Sequence, residues 1–139
     1  MKLSTHLTFN GQCEAAFAFY ERCLGGKIDT MIAYGDSPMA ELVPAEWCGK
    51  IVHVSLTLGD DCLNGADVLP AEFQRPQGFF VLLRVRNAVD AERIFHALAE
   101  NGAVQMPIQK TFWSPCFGVV VDRFGIPWEI SCEQASGAG

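Results

Sequence analysis

The sequence predicts an α+β protein made of two modules, each ordered as strand, helix and three strands. Two observations lead there. Short segments alternate apolar and polar residues with period two, and each half carries one amphipathic segment of helical period. A weak internal repeat adds a third, because a shift of 76 residues lays Phe19 on Phe95, Gly26 on Gly102 and Ile28 on Val104. Leu24 falls on Glu100 and does not match. A repeated unit that cannot bury its own apolar face must pack or pair with its copy to complete a sheet.

Residues 3–9 put Leu3, Thr5, Leu7 and Phe9 on one face and Ser4, His6 and Thr8 on the other, as a strand with one polar side does. Asn10-Gly11 supplies a turn and a candidate cap. A helix follows over 12–24, with Ala16, Phe17, Tyr20 and Leu24 on one side and Gly25-Gly26 as its stop. Residues 27–34 read as a strand, 35–49 as an irregular connection punctuated by Gly35, Pro38, Pro44 and Gly49, and 51–58 and 62–67 as further strands. After a linker at about 68–77, marked by Pro70 and Pro76, the order repeats. It gives a strand at 79–86, a helix at about 88–101 capped by Asn87 and stopped by Asn101-Gly102, and strands at 104–112, 116–122 and 127–133. The chain therefore reads as one domain, with modules at about 3–67 and 78–133 and a frayed tail at 134–139.

Composition narrows the function. Half of the 139 residues are apolar and 19% are charged, a globular balance for a chain long enough to build a core without disulfides or a structural metal. The net charge is −6 and no Lys/Arg stripe occurs, which argues against nucleic acid and anionic membranes as partners. Apolar runs fall far short of the ~20 residues a membrane span needs, and the start shows no secretory signal, so the expected location is the cytoplasm. Six cysteines without C-x-x-C spacing read as reduced, mostly buried thiols. No G-x-G-x-x-G, P-loop or G-x-S-x-G pattern supports dinucleotide, phosphoryl-transfer or α/β-hydrolase chemistry.

If the apolar strand faces lie under the helices, the polar faces line a concavity open to solvent. Alternation sends Trp128, Ile130 and Cys132 to the helix side and Glu129, Ser131 and Glu133 to the other, so His6, His53 and Glu129 share a kind of face. Two imidazoles and a carboxylate suit Zn, Ni, Fe or Mn at an open catalytic site, although three scattered strand positions form no spacing motif. Each His also reads simply as a polar residue on a half-exposed strand. Arg84 falls on the Phe80 and Leu82 side, where it could hold an anionic substrate or pair with a neighbouring carboxylate. Phe112, Trp113, Phe117 and Trp47 read as an aromatic wall or as core.

The repeated plan, with the segment Phe117-Gly118-Val119-Val120-Val121-Asp122-Arg123-Phe124-Gly125-Ile126-Pro127-Trp128-Glu129-Ile130, resembles the vicinal oxygen chelate superfamily of glyoxalase I, fosfomycin and bleomycin resistance proteins and extradiol dioxygenases. Leu7-Thr8-Phe9-Asn10-Gly11, Glu14-Ala15-Ala16-Phe17, Phe19-Tyr20 and Leu24-Gly25-Gly26 resemble its PhnB-like branch. The resemblance runs from about 3 to 133. It implies a cupped mixed sheet with helices on the outer face and a divalent metal held by the first and last strands of each half, at His6, Asn64, Phe80 and Glu129. Phe80 has no donor atom and Asn64 is a weak ligand, so His53 is the candidate replacement.

Two functions follow from the resemblance. One is a lyase, isomerase or dioxygenase in which His6, Glu129 and His53 hold the metal, Glu129 moves protons, and Arg84, Phe80, Asn64, Trp113 and Phe117 contact a small-molecule substrate. The other is a metal-free protein that binds or sequesters a small molecule. Methyltransferase chemistry is not expected, since no glycine-rich methyl-donor loop occurs. A homodimer is implied, with segment exchange hinged at Pro70 to Pro76.

Overall fold

The computed structural model describes residues 1–133; the tail expected to fray, 134–139, lies outside the described residues. The chain divides into two compact units, Met1–Gln74 and Arg75 onward, so the division falls inside the proline-marked linker. The first unit runs β1 (Thr5–Phe9), α1 (Cys13–Leu24), β2 (Lys27–Ala33), three short 3-10 turns, β3 (Ile51–Leu58) and β4 (Asp61–Asp67). The second runs β5 (Val81–Val85), α2 (Ala88–Ala99), β6 (Ala103–Gln109), β7 (Phe117–Val121) and β8 (Pro127–Cys132). No helix among the described residues is long and apolar enough to cross a membrane.

Each unit forms a four-stranded mixed sheet, ordered β1-β4-β3-β2 in the first and β5-β8-β7-β6 in the second. The first and last strands of a unit lie parallel; the remaining neighbours are antiparallel. A parallel pair needs a long connection, and each helix with its two following strands provides it. Alternation sorts the faces as expected. Leu7, Phe9, Val54, Leu56 and Leu63 are buried in the first unit and Val120, Trp128, Ile130 and Cys132 in the second. Over them lie Ala16, Phe17 and Tyr20 of α1, with the Phe17 ring edge-on to Phe9 and Tyr20, and Ala91, Ile94, Phe95 and Leu98 of α2.

The helix ends are held differently. Asn87 caps α2 as expected, accepting a bond from the Asp90 amide at 2.8 Å. Asn10-Gly11 does not cap α1. The residue before α1 is Gln12, whose side chain makes no cap bond; the Cys13 amide donates instead to Asp67 Oδ1 at 3.0 Å, from 54 residues away. Asp67 is 1% exposed, its Oδ2 takes the Ile51 amide at 2.9 Å, and its carbonyl takes the Tyr34 hydroxyl at 2.6 Å. One buried carboxylate thus ties the start of α1 to β3 and β4.

In the second unit Asp122 plays the corresponding part for a hairpin. Its Oδ1 accepts the amides of Phe124 at 2.8 Å and Ile126 at 3.1 Å, and its Oδ2 accepts Trp128 Nε1 at 2.9 Å. Strand β6 stops at Gln109 rather than 112, because Thr111 and Ser114 close a turn on each other: the Thr111 amide donates to the Ser114 carbonyl at 2.9 Å, and the Ser114 amide to Thr111 Oγ1 at 3.1 Å.

The repeated glycines have the same physical reason. A Cβ on Gly26 would run into the Thr57 carbonyl oxygen and Leu58, and one on Gly102 would run into the Val121 carbonyl oxygen and the Asp122 backbone. Each module passes from its helix to its second strand too close to the backbone of its third strand for any side chain. Gly26→Ala and Gly102→Ala are each expected to lower stability by about 1–3 kcal/mol. Gly49→Ala, where a Cβ meets nothing within 4 Å, should stay within about 0.5 kcal/mol. Urea denaturation of the three variants checks this; equal midpoints would refute the close-packing account.

Candidate functional site

The face of the second sheet turned away from α2 is built in three rows, because directly paired residues on neighbouring strands project to the same side. Phe80, just before β5, leads into a row formed by Pro127 and Val121. The middle row is Leu82, Glu129 and Val119, and the third is Arg84, Ser131 and Phe117. Leu82 is 49% exposed and Phe80 47%. A hollow of about 270 Å³ opens beside the first row, lined by Phe79, Phe80, Gln105, Val119, Val121 and Pro127, among others.

Aromatic side chains border the third row. The Trp113 ring stands edge-on to Phe117 at 5.2 Å between centroids, and Phe112 edge-on to Trp113 at 4.6 Å. These rings are positioned by Ser114, which is 3% exposed and whose Oγ reaches the Cys116 carbonyl at 2.9 Å, Ser131 Oγ at 3.0 Å and the Cys132 carbonyl at 3.1 Å. Trp47, read with them from the sequence, belongs to the first unit and packs on Gly11 and Lys50. Among the described residues Arg84 makes no ion pair.

On the first unit, the face away from α1 carries His6, Asn64 and Ser55 in one row, with His53 one row further on. Asn64 is turned to its neighbours, donating to Ser4 Oγ at 3.4 Å and lying 3.6 Å from Cys62 Sγ. Partial burial first, and the proximity of His53 second, hold the His6 imidazole below its ordinary pKa.

The paired rows also correct one residue carried over from the family resemblance. Leu82, not Phe80, stands beside Glu129 as His6 stands beside Asn64. The shift of 76 that aligns the glycines puts His6 on Leu82 as well. The four corresponding positions are therefore His6, Asn64, Leu82 and Glu129, and they offer one imidazole, one carboxylate, one amide and one hydrocarbon. No group of three or more His, Cys, Asp or Glu able to hold a metal occurs among the described residues. This donor set does not fit the divalent centre that the resemblance implies. The signal that located the missing ligand, the 76-residue offset, was present in the sequence.

Neither Cys13 nor Cys116 is poised as a nucleophile. Burial, with the Asp67 carboxylate beside it, raises the Cys13 pKa, and burial with Cys132 pushes Cys116 up to about 11. All six cysteines are free, and four are buried. For His6 the sign is opposite to that of an ion-paired His. Its stabilising contribution is complete above the unfolded pKa near 6.5, and is lost as pH falls below it toward the lower folded value. His6 is expected to titrate below about 6.5 in a proton NMR titration, and His53→Ala should move it upward. An unmoved His6 would mean that the two rings do not interact.

Comparison with known proteins places this architecture. The family model for the glyoxalase/bleomycin resistance protein/dioxygenase superfamily matches residues 4–130. Protein YjdN of Escherichia coli K12 is 33% identical over 139 residues, covering 94% of this chain and 95% of its own. The solved structure of protein PA1353 from Pseudomonas aeruginosa is 42% identical with a TM-score of 0.88, covering 96% of this chain and 98% of its own. The PhnB protein from Bacillus cereus, at 24% identity and a TM-score of 0.79 over 96% of this chain and all of its own, shares the fold. With the repeated strand-helix-three-strand units, these matches show that the chain belongs to the glyoxalase/bleomycin resistance protein/dioxygenase superfamily.

Proposed function

We propose that this protein binds a small, largely apolar organic molecule on the helix-free face of its second sheet, without using a metal centre of the superfamily type. The observation that carries this reading is the exposed apolar run of Phe80 and Leu82 beside a hollow of about 270 Å³, with Glu129 in the adjoining row. A soluble surface that leaves large side chains half-exposed in one place, next to a concavity, is where a ligand gains most from leaving water. Phe80, Val119, Val121 and Pro127 supply the apolar contact, and Trp113 and Phe117 form the far wall.

The superfamily's metal chemistry would need ligands from the corresponding positions, and Leu82 offers none. His6 and His53 share a face of the first unit, and Asn64, in the row of His6, offers only a neutral amide oxygen, a weak ligand for such a metal. The binding reading therefore rests on side chains that are present, and it leaves the reaction, if the bound molecule reacts, to that molecule's own chemistry.

Calorimetry with 1-naphthol as an uncharged aromatic probe tests the site. Saturable binding is expected, weakened about tenfold in Phe80→Ala, equivalent to about 1.4 kcal/mol of lost apolar contact. Unchanged affinity in Phe80→Ala would move the site elsewhere. Elemental analysis of tag-free protein prepared without chelator is expected to find far less than one equivalent of Zn, Ni, Mn or Fe. Near one equivalent, lost in a His6→Ala/Glu129→Ala variant, would overturn the metal-free reading.

A further inference from the structure

The polar groups on the ligand-binding face are few, and their placement is specific. Arg84 and Glu129 sit on neighbouring strands, with Arg84 paired to Ser131 and Glu129 paired to Leu82. They are thus diagonal neighbours on one face, with backbones about 7–8 Å apart. Neither forms an ion pair among the described residues. A cation and an anion that project from a mostly apolar face without ion pairs of their own are complementary to a molecule carrying both an acid and a hydrogen-bond donor. The rest of the border is aromatic and hydrocarbon: Leu82 on one side, Phe117 and Trp113 on the other.

The aromatic side is built rigidly. Ser114 is bonded to Ser131, in the same row as Arg84, and to the carbonyls of Cys116 and Cys132, while Thr111 and Ser114 close the turn that carries Phe112 and Trp113. Trp113 is held at the edge of Phe117 yet remains 51% exposed. A preordered ring that keeps half its surface in water provides contact area for a planar ligand at little ordering cost. Across the strands, Phe117 and Arg84 are separated by two interstrand spacings, about 10 Å, which a single substituted ring spans.

We propose that the ligand is a small amphoteric aromatic compound: a ring whose acid group is held by Arg84, whose amino or hydroxyl group is held by Glu129, and whose edge meets Trp113. The proposal rests on the binding reading above and adds the ligand's chemical class. Arg84 is suited to the acid because its guanidinium stays charged and donates two parallel bonds to a carboxylate. Glu129 accepts from an ammonium or hydroxyl at the opposite end of the ring.

The test uses four probes built on one benzene ring, 4-(aminomethyl)benzoate, benzoate, benzylamine and benzyl alcohol, read by calorimetry and by tryptophan fluorescence. The fluorescence readout is local, because Trp113 is exposed while Trp47 and Trp128 are 9% and 1% exposed. The zwitterion is expected to bind at least tenfold tighter than benzyl alcohol and to shield Trp113 from iodide quenching. Arg84→Gln should weaken the two acid-bearing probes about tenfold and leave benzylamine unchanged; Glu129→Gln should weaken the two amine-bearing probes and leave benzoate unchanged.

Equal binding of all four probes, or the absence of these paired losses, would overturn the amphoteric class. The binding reading would still stand if 1-naphthol saturates wild type and loses affinity in Phe80→Ala. If 1-naphthol fails as well, both fall. Both positions lie on the solvent-reaching face, and matching urea midpoints for the variants exclude a folding defect as the cause of any loss.

Discussion

The carboxylate of Asp122 is the constraint on which the second unit's binding face depends. It gathers the amides of Phe124 and Ile126 and the indole of Trp128, closing the turn between β7 and β8. Register in a sheet is all or nothing, because a slip of one residue exchanges the two faces. With Trp128 drawn to Asp122 and buried toward α2, Glu129 must face away from the helix, beside Leu82 and Val119. A buried carboxylate that satisfies several donors at once is costly to disturb, since each donor left without a partner in the interior loses about 1–3 kcal/mol.

Asp67 provides the matching constraint in the first unit by a different route. It reaches back across 54 residues to the start of α1 and also holds the first residue of β3. A negative charge at a helix N-terminus is favourable in its own right, since the helix dipole presents partial positive charge there. The two units thus share strand order and helix placement while fastening them with unrelated bonds. What they share in detail is steric: Gly26 and Gly102 pass the third strand of their modules at a distance no side chain tolerates.

The repeat is most informative where it fails. His6 and Leu82 occupy corresponding places on the first strands of their units, and Asn64 and Glu129 on the last. The first unit presents a polar face of imidazoles, an amide and hydroxyls. The second presents hydrocarbon and aromatic rings around two opposite charges. A face of that second kind gains free energy by covering apolar surface and gains selectivity from its few polar groups. The superfamily fold accommodates this, because a sheet's outward side chains change without disturbing the buried side that holds the helix.

Period-two and helical patterning made the order of strands and helices legible in the sequence, with β3 at its observed bounds and the helices within two residues, since burial against one face imposes those periods. The same alternation sorted Trp128, Ile130 and Cys132 from Glu129 and Ser131, and the Asn87 cap lay within one helical turn of its partner. Other features were beyond it. The cap on α1 comes from Asp67, and no local pattern announces a bond across 54 residues. The shortening of β6 follows from a Thr111–Ser114 turn that Ser114 secures through contacts on two other strands. Which first-strand residue stands beside Glu129 is set by strand register, a relation between segments that periodicity within either one does not contain, although the 76-residue repeat already laid His6 on Leu82. Sequence determined which residues are outward; tertiary structure decided which outward residues meet, because pairing is set by turns, caps and close contacts that join distant parts of the chain.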